Sequence, residues 1–91
     1  MKILVTGTSG GIGKAAAVKF LREGHSVYGI DLKSDTISGT LPEAENYTHF
    51  TADISIKENL PEIKDVEIIV NNAGIQTSTE KDIKEIGRAH V

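Results

Sequence analysis

The sequence predicts an α/β fold, a doubly wound parallel sheet that is incomplete at about four strands in the order 3-2-1-4. Three observations predict it. An apolar run, Ile3-Leu4-Val5, stops at a glycine cluster and gives way to a segment with helical period. A second short run, Val27-Tyr28-Gly29-Ile30, ends in the carboxylate of Asp31. Two further extended runs, Tyr47–Thr51 and Val66–Val70, follow, each separated from its predecessor by a crossover rather than a tight hairpin turn.

Each element has its local reason. Ile3 to Val5 are unbroken and partly β-branched, as in a parallel strand buried on both faces, and Gly7 breaks them. From Gly11 the period changes: Ile12, Ala16 and Phe20 are four apart with Ala15, Ala17 and Leu21 beside them, which predicts an amphipathic helix closed by Gly24. Glycines between strand and helix permit a tight turn and let backbone N–H groups approach an anion at the positive helix end. Leu32 to Asn46 is rich in Ser, Thr, Gly and acidic residues, and Gly39 and Pro42 spoil any helix, so it reads as a loop crossover. A short helix is expected from Ser55 towards Lys64, limited by Pro61. Asn71-Asn72-Ala73-Gly74 closes the fourth strand as a turn.

Composition bounds the rest. Ninety-one residues, 38% of them hydrophobic, make one small domain at most. A net charge of -3 without a Lys/Arg cluster argues against nucleic acid or an anionic membrane as partner. The absence of cysteine excludes disulfides and thiolate metal sites, and His25, His49 and His90 lack ligand spacing, so no metal site is expected. The N-terminal apolar run is too short for a signal peptide or a membrane span, which makes a cytoplasmic location the expectation.

In a doubly wound sheet ligands sit beyond the carboxyl ends of the strands. Topology therefore brings the Gly7–Gly13 loop, Asp31, Asp53 and Asn72 to one crevice. The loop reads Thr-Gly-x-x-x-Gly-x-Gly over Thr6, Gly7, Gly11 and Gly13, and Asn71-Asn72-Ala73-Gly74 follows the fourth strand. On these two motifs the chain resembles the short-chain dehydrogenase/reductase family, of the type that includes 3-oxoacyl-acyl carrier protein reductases. The resemblance implies a Rossmann-like domain that binds NAD(P), with residues 1–85 forming its N-terminal part.

The resemblance places Gly7, Thr8, Ser9, Gly10, Gly11, Ile12 and Gly13 against the dinucleotide, Asp31 and Leu32 at the adenosine ribose, Asp53 and Ile54 at the adenine, and Asn72, Ala73 and Gly74 along the cofactor. Plainer readings stand beside these: turn glycines, a solvated strand end at Asp31, and a helix cap at Asp53. Asn71 resembles a residue that ties the central strands together. In relatives that prefer the phosphorylated cofactor the position of Gly10 is often Arg or Lys, and a carboxylate at Asp31 both accepts from ribose hydroxyls and repels a 2′-phosphate. NAD is expected over NADP, although Lys33 could offset part of that repulsion.

The family donates its proton from a tyrosine followed four residues later by a lysine. Here Tyr28 is followed at that spacing by Leu32 and Tyr47 by Thr51, so no catalytic residue is assigned. The expected whole protein is an oxidoreductase moving hydride between nicotinamide and a small carbonyl or alcohol, as a homo-oligomer. A non-catalytic dinucleotide-binding module is the alternative. The last residues, Ile86-Gly87-Arg88-Ala89-His90-Val91, have no periodicity, and their reverse translation resembles a sequencing-library adapter. The natural sequence is therefore expected to end near Lys84 or Glu85, and 86–91 to be a non-native tail.

Overall fold

The computed structural model describes residues 1–72, and of Lys57 only the backbone. Four parallel strands form one sheet: β1 (Lys2–Thr6), β2 (Ser26–Asp31), β3 (Tyr47–Thr51) and β4 (Ile68–Asn71), in the order β3-β2-β1-β4. One helix, α1 (Gly11–Arg22), connects β1 to β2. The predicted sheet order is the observed one. Central β1 pairs with both neighbours, Val5 opposite Gly29 on one side and Val70 on the other, which explains why Ile3, Leu4, Val5 and Thr6 have no exposed surface.

The two sheet faces bury separate clusters. Ile3, Val5, Val27 and Tyr47 point to the α1 side, where Ala17 and Leu21 meet them. Leu4 and Ile30 point the other way and are covered by Ile54 and Ile63 from the segment between β3 and β4. Of the expected apolar positions of α1, Ala17 and Leu21 are buried, with Gly13 completing the stripe, and Phe20 packs against the same cluster. Ile12 lies in the first turn and remains 77% exposed, and Ala15 is exposed as well. Leu21 alone contributes about 2 kcal/mol through burial.

α1 ends where the sequence says it should. Gly24 takes φ +89°, its N–H donates to Leu21 O at 3.0 Å, and His25 N–H donates to Phe20 O at 3.1 Å. That pair of bonds satisfies the last carbonyls of the helix. The crossovers differ from expectation. Pro42 does not spoil helical structure but opens a 3-10 turn, Pro42–Asn46, because its fixed φ and missing N–H suit a first helical position. The helix expected from Ser55 towards Lys64 shrinks to a 3-10 turn at Lys57–Asn59; Leu60 and Ile63 are drawn instead onto the sheet. β4 begins at Ile68 rather than Val66, since Asp65 takes φ 63° and Val66 packs beneath the sheet before the ladder starts. The readings made for Ala73, Gly74 and the 86–91 tail lie outside the described residues.

A candidate dinucleotide site at the carboxyl ends of the strands

β1 delivers the glycine-rich loop. Gly7 takes φ 72°, a conformation other residues reach at a cost, and its N–H reaches across to Ile30 O at 2.8 Å. Gly10 N–H then donates back to Gly7 O at 3.2 Å and Lys14 N–H to Gly10 O at 2.8 Å. The turn is tight enough that a Cβ on Gly13 would strike the Gly7 carbonyl, whose carbon lies 2.7 Å from that point, and would come within 2.9 Å of Asn72 Nδ2. Gly13 therefore has to be glycine for close packing.

The start of α1 carries unspent donors. No side chain caps it, and no acidic residue stands in its first turn. Among the described residues the N–H groups of Gly11, Ile12 and Gly13 make no hydrogen bond. Gly10, Gly11 and Ile12 are exposed. Three unpartnered donors at the positive end of a helix form a ready anion cradle, and this donor set fits the diphosphate of a dinucleotide.

The ends of β2 and β4 reach that cradle. Asp31 at the end of β2 accepts from Ser9 N–H through Oδ2 at 3.1 Å and from Lys33 N–H through Oδ1 at 2.8 Å. Burial works to raise its pKa, but these backbone bonds together with the Ser9 hydroxyl and the nearby His49 outweigh it and hold the carboxyl below its ordinary value. Asp31 is thus an anion that organises the loop. Leu32 beside it is 69% exposed.

Beyond β3, Asp53 Oδ1 accepts from Ser55 N–H at 2.9 Å and from Ser55 Oγ at 2.6 Å, and these bonds lower its pKa. It closes a turn rather than capping an α-helix. Ile54 is only 9% exposed and packs with Leu4 and Ile30, so its side chain serves the core. At the end of β4, Thr6 Oγ1 donates to Asn71 Oδ1 at 3.1 Å and accepts from Asn72 N–H at 3.0 Å. Asn71 thus joins the central strands, and Asn72 lies against Gly13.

Thr8 stands apart from the rest of the loop. It is 1% exposed, and its hydroxyl meets the Tyr47 hydroxyl at 3.0 Å. Tyr47 also meets His49 Nδ1 at 2.7 Å, and His49 Nε2 lies 2.9 Å from Lys33 O. Sequence reasoning missed Tyr47 and His49 as part of the site's frame. The available signal was Gly29: a glycine inside a strand marks a close approach, and here a Cβ would come within 2.7 Å of Tyr47 Cζ and 2.9 Å of Thr8 Cγ2.

Among the described residues no group of His, Asp and Glu is arranged to hold a metal, and no helix is long and apolar enough to cross a membrane.

Comparison with known proteins adds the family. The family model described as short chain dehydrogenase matches residues 1–90. The chain is 39% identical over 82 residues to the uncharacterized oxidoreductase YvrD of Bacillus subtilis, covering 79% of this chain and 31% of that protein. It is 34% identical over 86 residues to a serine 3-dehydrogenase of Rhizobium radiobacter, covering 85% and 34% respectively. An NADPH-dependent pterin aldehyde reductase of Arabidopsis thaliana is 30% identical over 90 residues, with coverages of 87% and 37%. The chain spans about a third of the length of these relatives. With the four-stranded parallel sheet and its glycine-rich first turn, these matches place the chain in the short-chain dehydrogenase family of oxidoreductases, in its N-terminal segment.

Proposed function

We propose that this chain is the dinucleotide-binding portion of an NAD(P)-dependent oxidoreductase that moves hydride between nicotinamide and a small carbonyl or alcohol. The observation that carries the reading is the row of N–H groups at Gly11, Ile12 and Gly13 that have no partner among the described residues, next to the ionised Asp31. The cofactor, when bound, supplies or takes up the hydride. The protein's residues hold and orient it: the loop N–H groups meet the diphosphate, Asp31 accepts from the ribose hydroxyls with its remaining lone pairs, and exposed Leu32 and half-buried Asp53 flank the adenosine end. Asn72 meets the cofactor, and for Ala73 and Gly74 the same role rests on the family resemblance alone. Thr8 and Ile54 support this surface from beneath.

NAD is the favoured form, because Asp31 repels a 2′-phosphate and Gly10 offers no cation to meet one. The relatives named for serine and pterin aldehyde substrates differ from one another, and substrate choice belongs to the whole protein; acyl carrier protein thioesters are one candidate class. A Tyr-x-x-x-Lys does not occur in these residues, so the chain alone binds cofactor without turnover. Titration of the chain with NADH, followed by nicotinamide fluorescence, tests the reading. Saturable binding displaced by ADP-ribose is expected; no binding overturns it.

A further inference from the structure

Tyr47 sits on β3, two strands away from β1, yet its hydroxyl reaches the loop that follows β1. The path runs over Gly29 of β2, where any side chain would occupy the space taken by the Tyr47 ring end and the Thr8 methyl. Both partners are buried, Tyr47 at 7% and Thr8 at 1% exposure. A buried hydroxyl pair of this kind is geometrically fixed, since neither group has water to turn to.

The hydrogen bonds continue beyond the pair. The Tyr47 hydroxyl donates to Thr8 Oγ1 and meets His49 Nδ1, and the Lys33 carbonyl, which can only accept, takes a proton from His49 Nε2. Lys33 N–H in turn donates to Asp31, and Asp31 accepts from Ser9, the neighbour of Thr8. A closed circuit results, running Thr8, Tyr47, His49, Lys33, Asp31, Ser9. It joins the anion cradle to the ribose-facing acid.

We propose that Tyr47 is a positioning residue for the glycine-rich loop, fixing through Thr8 the placement at which Gly11, Ile12 and Gly13 present their N–H groups to a diphosphate. The proposal rests on the dinucleotide reading above. Tyr47 touches no cofactor and acts only through Thr8 and Ser9.

The test compares the chain with its Tyr47→Phe and Thr8→Val variants, which remove the same bond from opposite ends, and with Thr8→Ser, which keeps it. NADH affinity is read by fluorescence and amide hydrogen exchange residue by residue. Tyr47→Phe and Thr8→Val are each expected to weaken NADH binding about tenfold, the effect of one lost hydrogen bond at the upper end of its range. The double variant should be no worse than either single one, and Thr8→Ser should retain binding. Exchange should quicken at Ser9 and Gly10, whose N–H groups are bonded within the loop, and stay slow at Leu4 and Ile30. Unchanged NADH affinity in both single variants overturns the proposal, as does exchange that quickens equally along β1 and β2, which is general loosening. Failure of the unaltered chain to bind NADH overturns the dinucleotide reading itself. Should Tyr47→Phe not fold, Thr8→Val decides alone.

Discussion

Asp31 Oδ2 accepts a hydrogen bond from Ser9 N–H at 3.1 Å, so the acid at the end of β2 is fastened to the loop that follows β1. One carboxylate thereby has two tasks, shaping the loop and meeting a ribose. Its substitution separates them. Asp31→Asn keeps one acceptor but loses the charge; Asp31→Ala loses both.

Each lost charge-assisted bond costs about 1.5–3 kcal/mol when its partner stays buried, so Asp31→Ala is expected to weaken NADH binding by about tenfold to a hundredfold. Both variants should narrow the gap between NADH and NADPH, because repulsion of a 2′-phosphate disappears with the charge. Paired fluorescence titrations give the ratio directly. An unaltered ratio in both variants means that Asp31 shapes the loop and does not select the cofactor.

The loop glycines predict opposite outcomes at neighbouring positions. A Cβ at Gly13 meets the Gly7 backbone, which cannot yield as a flexible side chain would, whereas a Cβ at Gly11 has nothing within 4 Å. Gly13→Ala should therefore cost about 1–3 kcal/mol, and Gly11→Ala should stabilise the helix by about 0.5–1 kcal/mol. Urea unfolding of the two variants settles it, and equal stabilities would contradict the close packing at Gly13.

What was legible in the sequence follows from which forces are local. The order β3-β2-β1-β4, the loop and the Gly24 helix stop depend on short runs and on single residues with a fixed backbone role. Ala17 and Leu21 lie on the apolar face of α1 as expected, whereas Ile12, despite its spacing from Ala16 and Phe20, is carried away from the sheet by its first-turn place. The Ser55–Lys64 segment has helical composition, but burying Leu60 and Ile63 on the open sheet face outweighs propensity there. The Tyr47–Thr8 contact joins residues 39 apart in sequence across an intervening strand, and nothing in the spacing of Tyr47 announces it.

Alkaline pH reports on Tyr47. Burial first, then the nearby carboxylates of Asp35 and Asp31, push its pKa from 10.0 up to about 12, against the bond with Thr8. The folded state thus holds this proton more tightly than the unfolded state does. Its contribution to stability is complete below pH 10.0 and is lost as pH rises towards about 12. Tyr47→Phe removes this dependence, so unfolding free energies of chain and variant should converge across that window. Parallel curves would mean that Tyr47 is not buried as described.

The last prediction concerns the two sheet edges. Among the described residues β4 pairs with β1 alone and β3 with β2 alone. β3 brings Thr48, His49 and Thr51 to its edge, whereas β4 brings Ile68, Ile69 and Val70, all half-buried. An apolar strand with unpaired N–H and C=O groups is the stronger template for another chain. Glu67 is the acidic residue nearest this edge, and its carboxylate is turned to Lys2 N–H at 3.3 Å, so it does little to discourage approach. A lysine at Ile68 or Ile69 would break up this edge if either side chain faced solvent. Neither does: Ile68 packs with the α1-side cluster and Ile69 with the opposite one. A lysine at either would trade lost burial for solubility and blur the result. Concentration-dependent sedimentation combined with amide line broadening is the cleaner test. Self-association should grow with concentration, with broadening centred on Ile68–Asn71 and sparing Tyr47–Thr51. A monomer that unfolds cooperatively at every concentration would show that the segment is autonomous, and would favour a binding module over a portion of an enzyme. Broadening centred on β3 would instead place the adhesive edge on the polar side of the sheet, against the argument from side chains.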